Sequence, residues 1–385
     1  MEFARRCNGI TSFKAMDILA AAMELQGQGR DIVRMEVGEP AFSAPQPVIE
    51  AAQKAMAAGH TKYTAACGIP ELRQAVAALY QRRYGVVLNP ERVVITTGSS
   101  AALGMVCEML LNPGDGLLLS DPGYPCNPNF VRRLDAEPQL VPVEAANNFQ
   151  LTADLAEHHW QANTRGVMVA SPNNPTGEII TRENLVALHK LTAEKQAALV
   201  VDEIYHGLTY DAADVASILE VTDDAFVINS FSKYFGMTGW RLGWTVVPEA
   251  AMERINAMAQ NFYISSPAIS QYAAMAALSP EVGEILEERR AEFHRRRDFL
   301  VNGLRHIGFG IEHSPAGAFY VYANVEKLTD DGEAFCWRML REQGVAFTPG
   351  TDFGVHNANK YVRFTYTSSM DRLEEALERL AKGCL

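Results

Sequence analysis

The 385-residue sequence has no apolar run that approaches the roughly 18 residues of a membrane-spanning helix. A surplus of positive charge is also missing. The net charge is −12, whereas nonspecific binding to nucleic acid or to a membrane surface depends on a basic field. The N-terminal segment carries charged side chains where an export signal needs an unbroken apolar stretch. These absences predict a cytoplasmic protein with no nucleic-acid partner and no membrane partner.

The six cysteines are scattered along the chain, and no C-x-x-C pair occurs among them. Free thiols in a reducing compartment are therefore predicted, and a metal site is not. Two nucleotide-binding signatures are missing as well. No G-x-x-x-x-G-K-[ST] motif occurs and no G-x-G-x-x-G follows a predicted strand, so nucleotide binding through either motif is disfavoured.

Short apolar runs alternate with segments of helical spacing in the middle of the chain. The runs that indicate buried strands are VVIT (93–96), LLLS (117–120), QLVPV (139–143), VMVAS (167–171), AALVVDE (197–203), FVINS (226–230) and LGWTVV (242–247). Continuous apolar strands joined by helices are typical of a parallel sheet that is covered on both faces. The sequence predicts an α/β fold in which a mainly parallel sheet is sandwiched by helices.

The C-terminal part of the chain departs from this alternation. It contains one long charged amphipathic helix, two hairpin-like strand segments at 318–325 and 361–367, and a further helix at the C-terminus. This pattern predicts a second, smaller α+β domain. We expect a large domain over residues 41–285, and a small domain made of residues 1–40 together with residues 286–385.

Polar and aromatic side chains follow the ends of five predicted strands. Because the carboxyl ends of parallel strands meet at one edge of a sheet, ligands bind there. We expect these side chains to converge on one site. They are Ser99, Ser100, Tyr124, Asn174, Asp202, Tyr205, Ser230, Ser232 and Lys233, with Arg241 shortly after them.

Part of this set has the chemistry of a phosphate site. Ser99 and Ser100 open a helix, and a helix start offers backbone N–H groups and hydroxyls to an anion. Arg241 can clamp the same anion by a two-pronged bond, and Ser230 adds another hydroxyl. Taken alone, each of these residues is also explained as a helix cap, a turn residue or a surface ion pair. Together they predict a phosphate cradle that is not a P-loop.

The remaining side chains suit an aromatic ring with an aldehyde. Asp202 ends a buried run and needs a cationic partner, either a neighbouring arginine or a protonated pyridine nitrogen. Tyr124 offers a face for stacking, and Asn174 and Tyr205 offer donors to a ring oxygen. Lys233 stands among aromatic residues, where desolvation lowers its pKa and frees the amine to attack an aldehyde. The combination with a phosphate predicts pyridoxal 5′-phosphate as the cofactor.

Seven motifs then reveal a family resemblance. They are VGEP (37–40), KYTAACGIPELR (62–73), TTGSSAAL (96–103), DPGYP (121–125), SPNNPTG (171–177), VVDEIY (200–205) and SFSKYFGMTGWRLGW (230–244). From about Val37 to Thr367 the chain resembles the class I/II aminotransferases of the fold-type I pyridoxal-phosphate superfamily. The branch that it resembles is the bacterial aspartate/aromatic aminotransferase-like one.

The resemblance implies a role for each residue that contacts the cofactor ring. Lys233 forms the internal aldimine and then moves the proton between Cα and C4′. Asp202 keeps the pyridine nitrogen protonated, Tyr205 and Asn174 contact the ring hydroxyl, and Tyr124 stacks on the ring. The phosphate is held by Ser99, Ser100, Ser230 and Arg241, with help from Ser232.

The resemblance also implies partners. Tyr63 reaches the phosphate of the neighbouring subunit, which makes the active unit a homodimer with shared active sites. Arg363 takes the substrate α-carboxylate as a bidentate pair, assisted by Asn174 and the backbone of Gly38. Considered without the family, an arginine on a strand is more simply a surface charge.

The implied activity is transfer of an amino group from an L-amino acid to a 2-oxo acid by ping-pong kinetics. A β-lyase or decarboxylase on the same cofactor, an effector-binding regulator of this fold and a cofactor-free α/β protein are the alternatives. The donor is open. Some aspartate-preferring relatives place a lysine where Ser100 aligns here, whereas Ile10 and Phe13, near the expected pocket mouth, favour an apolar or aromatic donor.

Overall fold

A computed structural model describes residues 1–211 and 214–384 of the chain. Its strands are β1 Val33–Arg34, β2 Val93–Thr96, β3 Gly116–Asp121, β4 Glu137–Pro142, β5 Thr164–Ala170, β6 Ala198–Asp202, β7 Phe226–Ser230, β8 Gly243–Val246, β9 Tyr320–Asn324, β10 Val345–Ala346, β11 Thr348–Pro349 and β12 Tyr361–Thr365. Its α-helices are α1 Lys14–Gly27, α2 Gln46–Ala57, α3 Pro70–Tyr84, α4 Ser99–Leu110, α5 Asn127–Arg132, α6 Ala153–His158, α7 Arg182–Glu194, α8 Met252–Phe262, α9 Ala268–Ala277, α10 Pro280–Ile307, α11 Gly332–Arg338 and α12 Met370–Cys384.

The central sheet has seven strands in the order β2-β8-β7-β6-β5-β3-β4. The pairs from β7 through β6, β5 and β3 to β4 are parallel, whereas β8 runs antiparallel to both β2 and β7. The predicted α/β fold with a mainly parallel sheet is therefore confirmed.

Both faces of this sheet are buried, as its continuous apolar strands require. Along β6, Leu199 and Val201 join one hydrophobic cluster, whereas Val200 between them joins a second cluster on the opposite face. Alternate side chains of a strand point to opposite faces, so an apolar residue at every position needs a helical layer on each side. Because helices cover both faces, a ligand can reach the sheet at the ends of its strands.

The helix starts follow the capping residues in the sequence. Thr181 accepts a hydrogen bond from the backbone N–H of Asn184 at the start of α7, and Ser279 accepts one from Val282 at the start of α10. The long charged segment is one helix of 28 residues, α10, and Gly308 follows its last residue with a φ of 113°. Among residues 1–211 and 214–384, every helix is too short or too polar to traverse a lipid bilayer.

The C-terminal part contains a three-stranded antiparallel sheet in the order β11-β12-β9. Its middle strand places Arg363 opposite Thr348 on one side and Tyr322 on the other. The N-terminal segment joins this part, because β1 pairs in parallel with β10 at Val33 and Val345. The boundaries of the two domains stay a prediction.

Candidate active site

A cavity of about 240 Å3 opens at the carboxyl ends of β5, β6 and β7. The starts of α1 and α4 and the strand β12 complete its walls. All predicted site residues line the cavity except Ser230 and Tyr63. Those that line it are Gly38, Ser99, Ser100, Tyr124, Asn174, Asp202, Tyr205, Ser232, Lys233, Arg241 and Arg363.

The start of α4 forms a cradle for an anion beside Arg241. Gly98 precedes the helix with a φ of 80°, and a Cβ on it would lie 2.5 Å from Nη2 of Arg241. A Cβ on Gly243 would lie 2.8 Å from the backbone nitrogen of Ser99. Arg241 donates to the carbonyl oxygen of Thr238 over 2.9 Å, and no carboxylate among the described residues forms an ion pair with it. The missing side chains therefore let Arg241 and β8 approach the start of α4, where a cation without a protein counterion and a helix N-terminus suit a phosphate.

The two serines at the end of β7 lie at different depths. Ser232 lines the cavity, whereas Ser230 is buried behind it. The Ser230 hydroxyl donates to Oγ of Ser232 over 2.9 Å and accepts from the backbone N–H of Ser232 over 3.0 Å. Ser232 therefore borders the cavity directly and Ser230 contacts it through Ser232, and the phosphate contacts of both serines stay a prediction.

Asp202 ends β6 as a carboxylate that is only 5 % exposed. One oxygen accepts a hydrogen bond from the backbone N–H of Ile204 over 3.1 Å. Within the described parts of the chain no arginine or lysine forms an ion pair with it, so the alternative of a neighbouring arginine gains no support. Burial raises the pKa of this carboxyl from 3.8 to about 7. A cation brought by a ligand would stabilise its ionised form.

A pair of tyrosine hydroxyls stands between the sheet edge and β9. The hydroxyls of Tyr205 and Tyr320 are 2.6 Å apart, and their rings meet edge to face with centroids 5.6 Å apart. Tyr320 lines the cavity but is absent from the predicted site. Its strand has the composition of an ordinary core strand, so nothing in the local sequence marks it as functional.

Lys233 follows β7 and turns its amine into the cavity. Its Nζ donates to the carbonyl oxygen of Gly38 over 2.6 Å and lies 6.0 Å from the ring centroid of Phe319. Burial, together with the positive charge of Arg363, lowers the pKa of this amine from 10.5 to about 8. An amine that is partly neutral near physiological pH can serve as a nucleophile and as a base.

Arg363 is a buried cation, not a surface charge, with 1 % of its surface exposed. Its Nη1 donates to Oδ1 of Asn174 over 2.8 Å and its Nη2 to the carbonyl oxygen of Glu36 over 2.6 Å. The rings of Tyr320 and Phe353 lie 4.4 Å and 4.6 Å from its Cζ. Its buried Nε has no hydrogen-bond partner among the described residues. The guanidinium is thus held rigidly by neutral groups and retains capacity for an anion.

The mouth of the cavity is apolar. Phe13 and Met16 line it, together with Val37. Ile10 does not line it and is 46 % exposed. Tyr63 is 79 % exposed and lies outside this subunit's cavity.

Metal ligation is not among the features of this site. No group of three or more His, Cys, Asp or Glu side chains within residues 1–211 and 214–384 is arranged to hold a metal ion. All six cysteines are free thiols.

The charges that line the cavity fit the groups of pyridoxal 5′-phosphate. The glycine-flanked helix start and Arg241 suit the phosphate, and the buried carboxylate of Asp202 suits a protonated pyridine nitrogen. The partly neutral amine of Lys233 suits an aldehyde. The strongest sign of fit is that Asp202, a carboxylate only 5 % exposed, lacks an ionic partner among the described residues.

Comparisons with known proteins agree with this chemistry. The profile of the family described as aminotransferase class I and II matches residues 30–380. A valine–pyruvate aminotransferase of Mycobacterium tuberculosis is 40% identical over 97% of this chain and 96% of its own length. An aspartate/prephenate aminotransferase of Thermus thermophilus is 34% identical over 98% of each chain.

Two solved structures give the same result. An aminotransferase from Mycobacterium tuberculosis has a TM-score of 0.96 at 39% identity and covers 99% of this chain and 98% of its own. The aspartate aminotransferase from Thermus thermophilus with maleate has a TM-score of 0.94 at 34% identity, with 100% of both chains covered. None of these relatives is named as a lyase, a decarboxylase or a regulator, so the alternative functions gain no support. The chain belongs to the class I and II aminotransferases and is an enzyme that uses pyridoxal 5′-phosphate to transfer amino groups.

Proposed function

We propose that the protein transfers the amino group of an apolar aliphatic L-amino acid, such as valine, to a small 2-oxo acid, such as pyruvate. We further propose that it works in the cytoplasm as a homodimer. The donor assignment is supported by the name of one relative, a valine–pyruvate aminotransferase at 40% identity. Other relatives are named for aspartate, so the names alone do not decide between donors.

The observation that carries the proposal is the number of cations at the cavity wall. Among the described lining residues only Lys233, Arg241 and Arg363 are basic. Arg241 faces the anion cradle, Lys233 is the candidate nucleophile, and Arg363 is left for the α-carboxylate. Within one copy of the chain, a dicarboxylic donor would bring a second carboxylate for which no lining cation remains, and burying an unpaired charge is costly.

The arrangement around Arg363 suits recognition of the α-carboxylate. The hydrogen bonds to Asn174 and to the backbone of Glu36 fix the plane of the guanidinium before substrate arrives. A preset guanidinium forms two parallel hydrogen bonds to a carboxylate at low entropic cost. In the proposed role it orients the donor so that its Cα–H bond faces the amine of Lys233.

Lys233 and Asp202 divide the proton chemistry between them. The cofactor, when bound, supplies an electron sink that acidifies the Cα–H bond of the donor. Lys233 would take the Cα proton of the donor and release a proton again at C4′, and a pKa of about 8 suits this exchange near neutral pH. Asp202 keeps a proton on the ring nitrogen, since a buried anion strengthens the proton affinity of a base in contact with it. Tyr205 offers its hydroxyl to the ring oxygen.

The proposed homodimer explains the exposed aromatic group at Tyr63. Phe262 and Ile264 are other large apolar side chains more than half exposed. A second copy of the chain would cover such residues, and Tyr63 would then reach the phosphate in the partner's cavity. The proposed domains, residues 41–285 and the remainder, would form the two sides of each cavity.

A donor panel on purified, cofactor-loaded enzyme tests the substrate. The panel compares kcat/KM for valine, alanine, phenylalanine and aspartate, with pyruvate and with 2-oxoglutarate as acceptors. We expect valine to exceed aspartate by at least about tenfold, because one missing counterion costs more than about 1.4 kcal/mol. A preference for aspartate would overturn the donor assignment.

Two further measurements test the site and the assembly. Borohydride reduction of the loaded enzyme, followed by peptide mass spectrometry, should find the cofactor attached to the peptide with Lys233. Sedimentation should give a dimer for both the parent and the Tyr63→Phe variant. The variant should lose about tenfold in cofactor affinity, because only one hydroxyl is removed. A monomeric, fully active enzyme would refute the shared site.

A further inference from the structure

The N-terminus of α1 is capped by a residue from the far end of the chain. Phe13, its local N-cap residue, gives no side-chain hydrogen bond to the helix. Instead, Oδ1 of Asp352 accepts from the backbone N–H of Lys14 over 2.7 Å and Oδ2 accepts from Ala15 over 3.2 Å. Asp352 is 9 % exposed. A buried carboxylate therefore satisfies two of the N–H groups that every helix start leaves open.

The same end of α1 forms the mouth of the cavity. Phe13 and Met16 both line it, one on each side of the capped residues. The side chain of Lys14 strengthens the attachment, because its Nζ donates to Glu333 over 2.5 Å and to Oγ1 of Thr351 over 3.0 Å. The mouth is thus tied to the turn at residues 350–355 by backbone and by side-chain bonds.

That turn also touches the substrate-carboxylate site and the wall that carries Tyr124. The ring of Phe353 packs on the guanidinium of Arg363, 4.6 Å from its Cζ. The carbonyl oxygen of Phe353 accepts from the backbone N–H of Gly123 over 2.9 Å. The carboxylate of Asp121 accepts from the backbone N–H of Val355 over 3.1 Å. One turn therefore connects three walls of the cavity.

We propose that Asp352 is a positioning residue that holds Phe13 at the mouth of the cavity by capping α1 from the turn that packs on Arg363. Asp352 does not contact the substrate. It acts through Phe13, and its contribution is to the fit of the donor side chain. This inference rests on the proposed function in one respect, namely that the cavity of Arg363 receives the amino donor.

The test compares Asp352→Ala and the milder Asp352→Asn with Phe13→Ala and with the double variant Phe13→Ala/Asp352→Ala. We expect Asp352→Ala to raise the donor KM by about three- to tenfold, the size of a lost helix cap, with kcat changed by less than about twofold. We also expect the double variant to have the donor KM of Phe13→Ala alone, because the two residues act in series. Each variant is assayed with the donor that ranks first in the panel.

A second readout needs neither substrate nor cofactor. Amide hydrogen exchange at Lys14 and Ala15 in the cofactor-free protein should speed up about five- to tenfold in Asp352→Ala. Thr181→Ala is the matched control, since it removes a helix cap from α7, which does not line the cavity. It should lower stability without changing the donor KM or exchange at α1.

The outcomes separate the possibilities. Faster exchange with an unchanged donor KM would show that the cap is structural only and would overturn the proposal. Additive effects of Phe13→Ala and Asp352→Ala on the donor KM would overturn it as well. A panel in which aspartate ranks first would refute the donor assignment but would leave the exchange and double-variant tests valid.

Discussion

The amine of Lys233 donates a hydrogen bond to the backbone carbonyl oxygen of Gly38, and the two atoms lie 2.6 Å apart. Glycine is needed at position 38 because a Cβ there would overlap the hydroxyl of Tyr320, which lines the same cavity. The candidate nucleophile is therefore restrained by a neutral oxygen, which orients the amine without adding a negative charge that would raise its pKa.

The first prediction concerns the pH dependence of cofactor capture. Burial lowers the pKa of Lys233 to about 8, so the reactive neutral amine is scarce at pH 6 and predominant at pH 9. We expect the rate of covalent recombination with pyridoxal 5′-phosphate to rise about tenfold per pH unit below pH 8 and to level off above it. Stopped-flow absorbance on cofactor-free protein measures this rate. A profile that is flat from pH 6 to pH 9 would contradict the assignment, and Lys233→Ala should show no covalent phase.

The second prediction is that Asp202→Asn stabilises the cofactor-free protein at high pH and inactivates the enzyme. Burial raises the pKa of Asp202 to about 7 in the folded chain, against 3.8 when it is unfolded. The folded state therefore binds more protons between these values, and the free energy of unfolding decreases as the pH rises through that window. Asparagine has no charge to bury, so the free energy of unfolding of the variant at pH 8 should exceed that of the parent by about 1 kcal/mol or more.

Thermal unfolding at pH 4.5 and pH 8 measures this difference, which should shrink at the lower pH. Turnover of the loaded variant should decrease by at least about a hundredfold, because an amide holds the ring proton poorly. A variant that is less stable than the parent at pH 8 would show that the carboxylate has a stabilising partner in the cofactor-free protein.

The third prediction tests the anion cradle with a pair of glycines. Gly98→Ala places a methyl group 2.5 Å from Nη2 of Arg241 at a φ of 80°, so the guanidinium must move away from the start of α4. We expect cofactor affinity to decrease at least about tenfold. Gly239→Ala is the control, because no heavy atom lies within 4 Å of its Cβ and its φ is not positive. Equilibrium dialysis measures both, and equal affinities would argue against a phosphate at the start of α4.

The fourth prediction is that Arg363→Lys raises the donor KM about ten- to a hundredfold. Lysine keeps the charge but cannot form the planar pair of hydrogen bonds, and it loses the packing on Tyr320 and Phe353. Arg338→Lys is the control, because it makes the same substitution in α11, outside the cavity. Steady-state kinetics with a saturating oxo acid measures the effect. An unchanged donor KM would place the α-carboxylate elsewhere.

The sequence predicts the sheet well because each buried strand is a continuous apolar run. The run 226–230 is observed as Phe226–Ser230 without a shift. The apolar runs do not reveal whether a strand is parallel or antiparallel to its neighbours. The segment 242–247 has the same composition as its parallel neighbours, yet β8 runs antiparallel to both strands beside it. Direction depends on how the chain returns to the sheet, and that is a property of the connections.

The sequence predicts the site residues that stand in motifs at strand ends. It predicts less well the cavity residues that come from elements far away in the sequence. Tyr320 comes from β9 and bonds to Tyr205 from the sheet edge, a contact between residues far apart in sequence. Met16 lines the mouth of the cavity, whereas Ile10, expected near it, does not. Met16 lies in the first turn of α1, whereas Ile10 precedes that helix, so the placement of α1 and of the segment before it decides which side chain reaches the cavity.

Gly243 stands in register between Thr96 of β2 and Ser230 of β7. The anion cradle is therefore complete only when β8 pairs both with β7, which lies shortly before it in the chain, and with β2, which lies far earlier. The pairing of β8 with β2 closes a long loop of chain, which carries an entropic cost. A phosphate can bind in the cradle only after this pairing has formed, so the cofactor binds the folded chain and stabilises it by mass action. A shortage of the vitamin would therefore lower the resistance of the protein to unfolding as well as its activity.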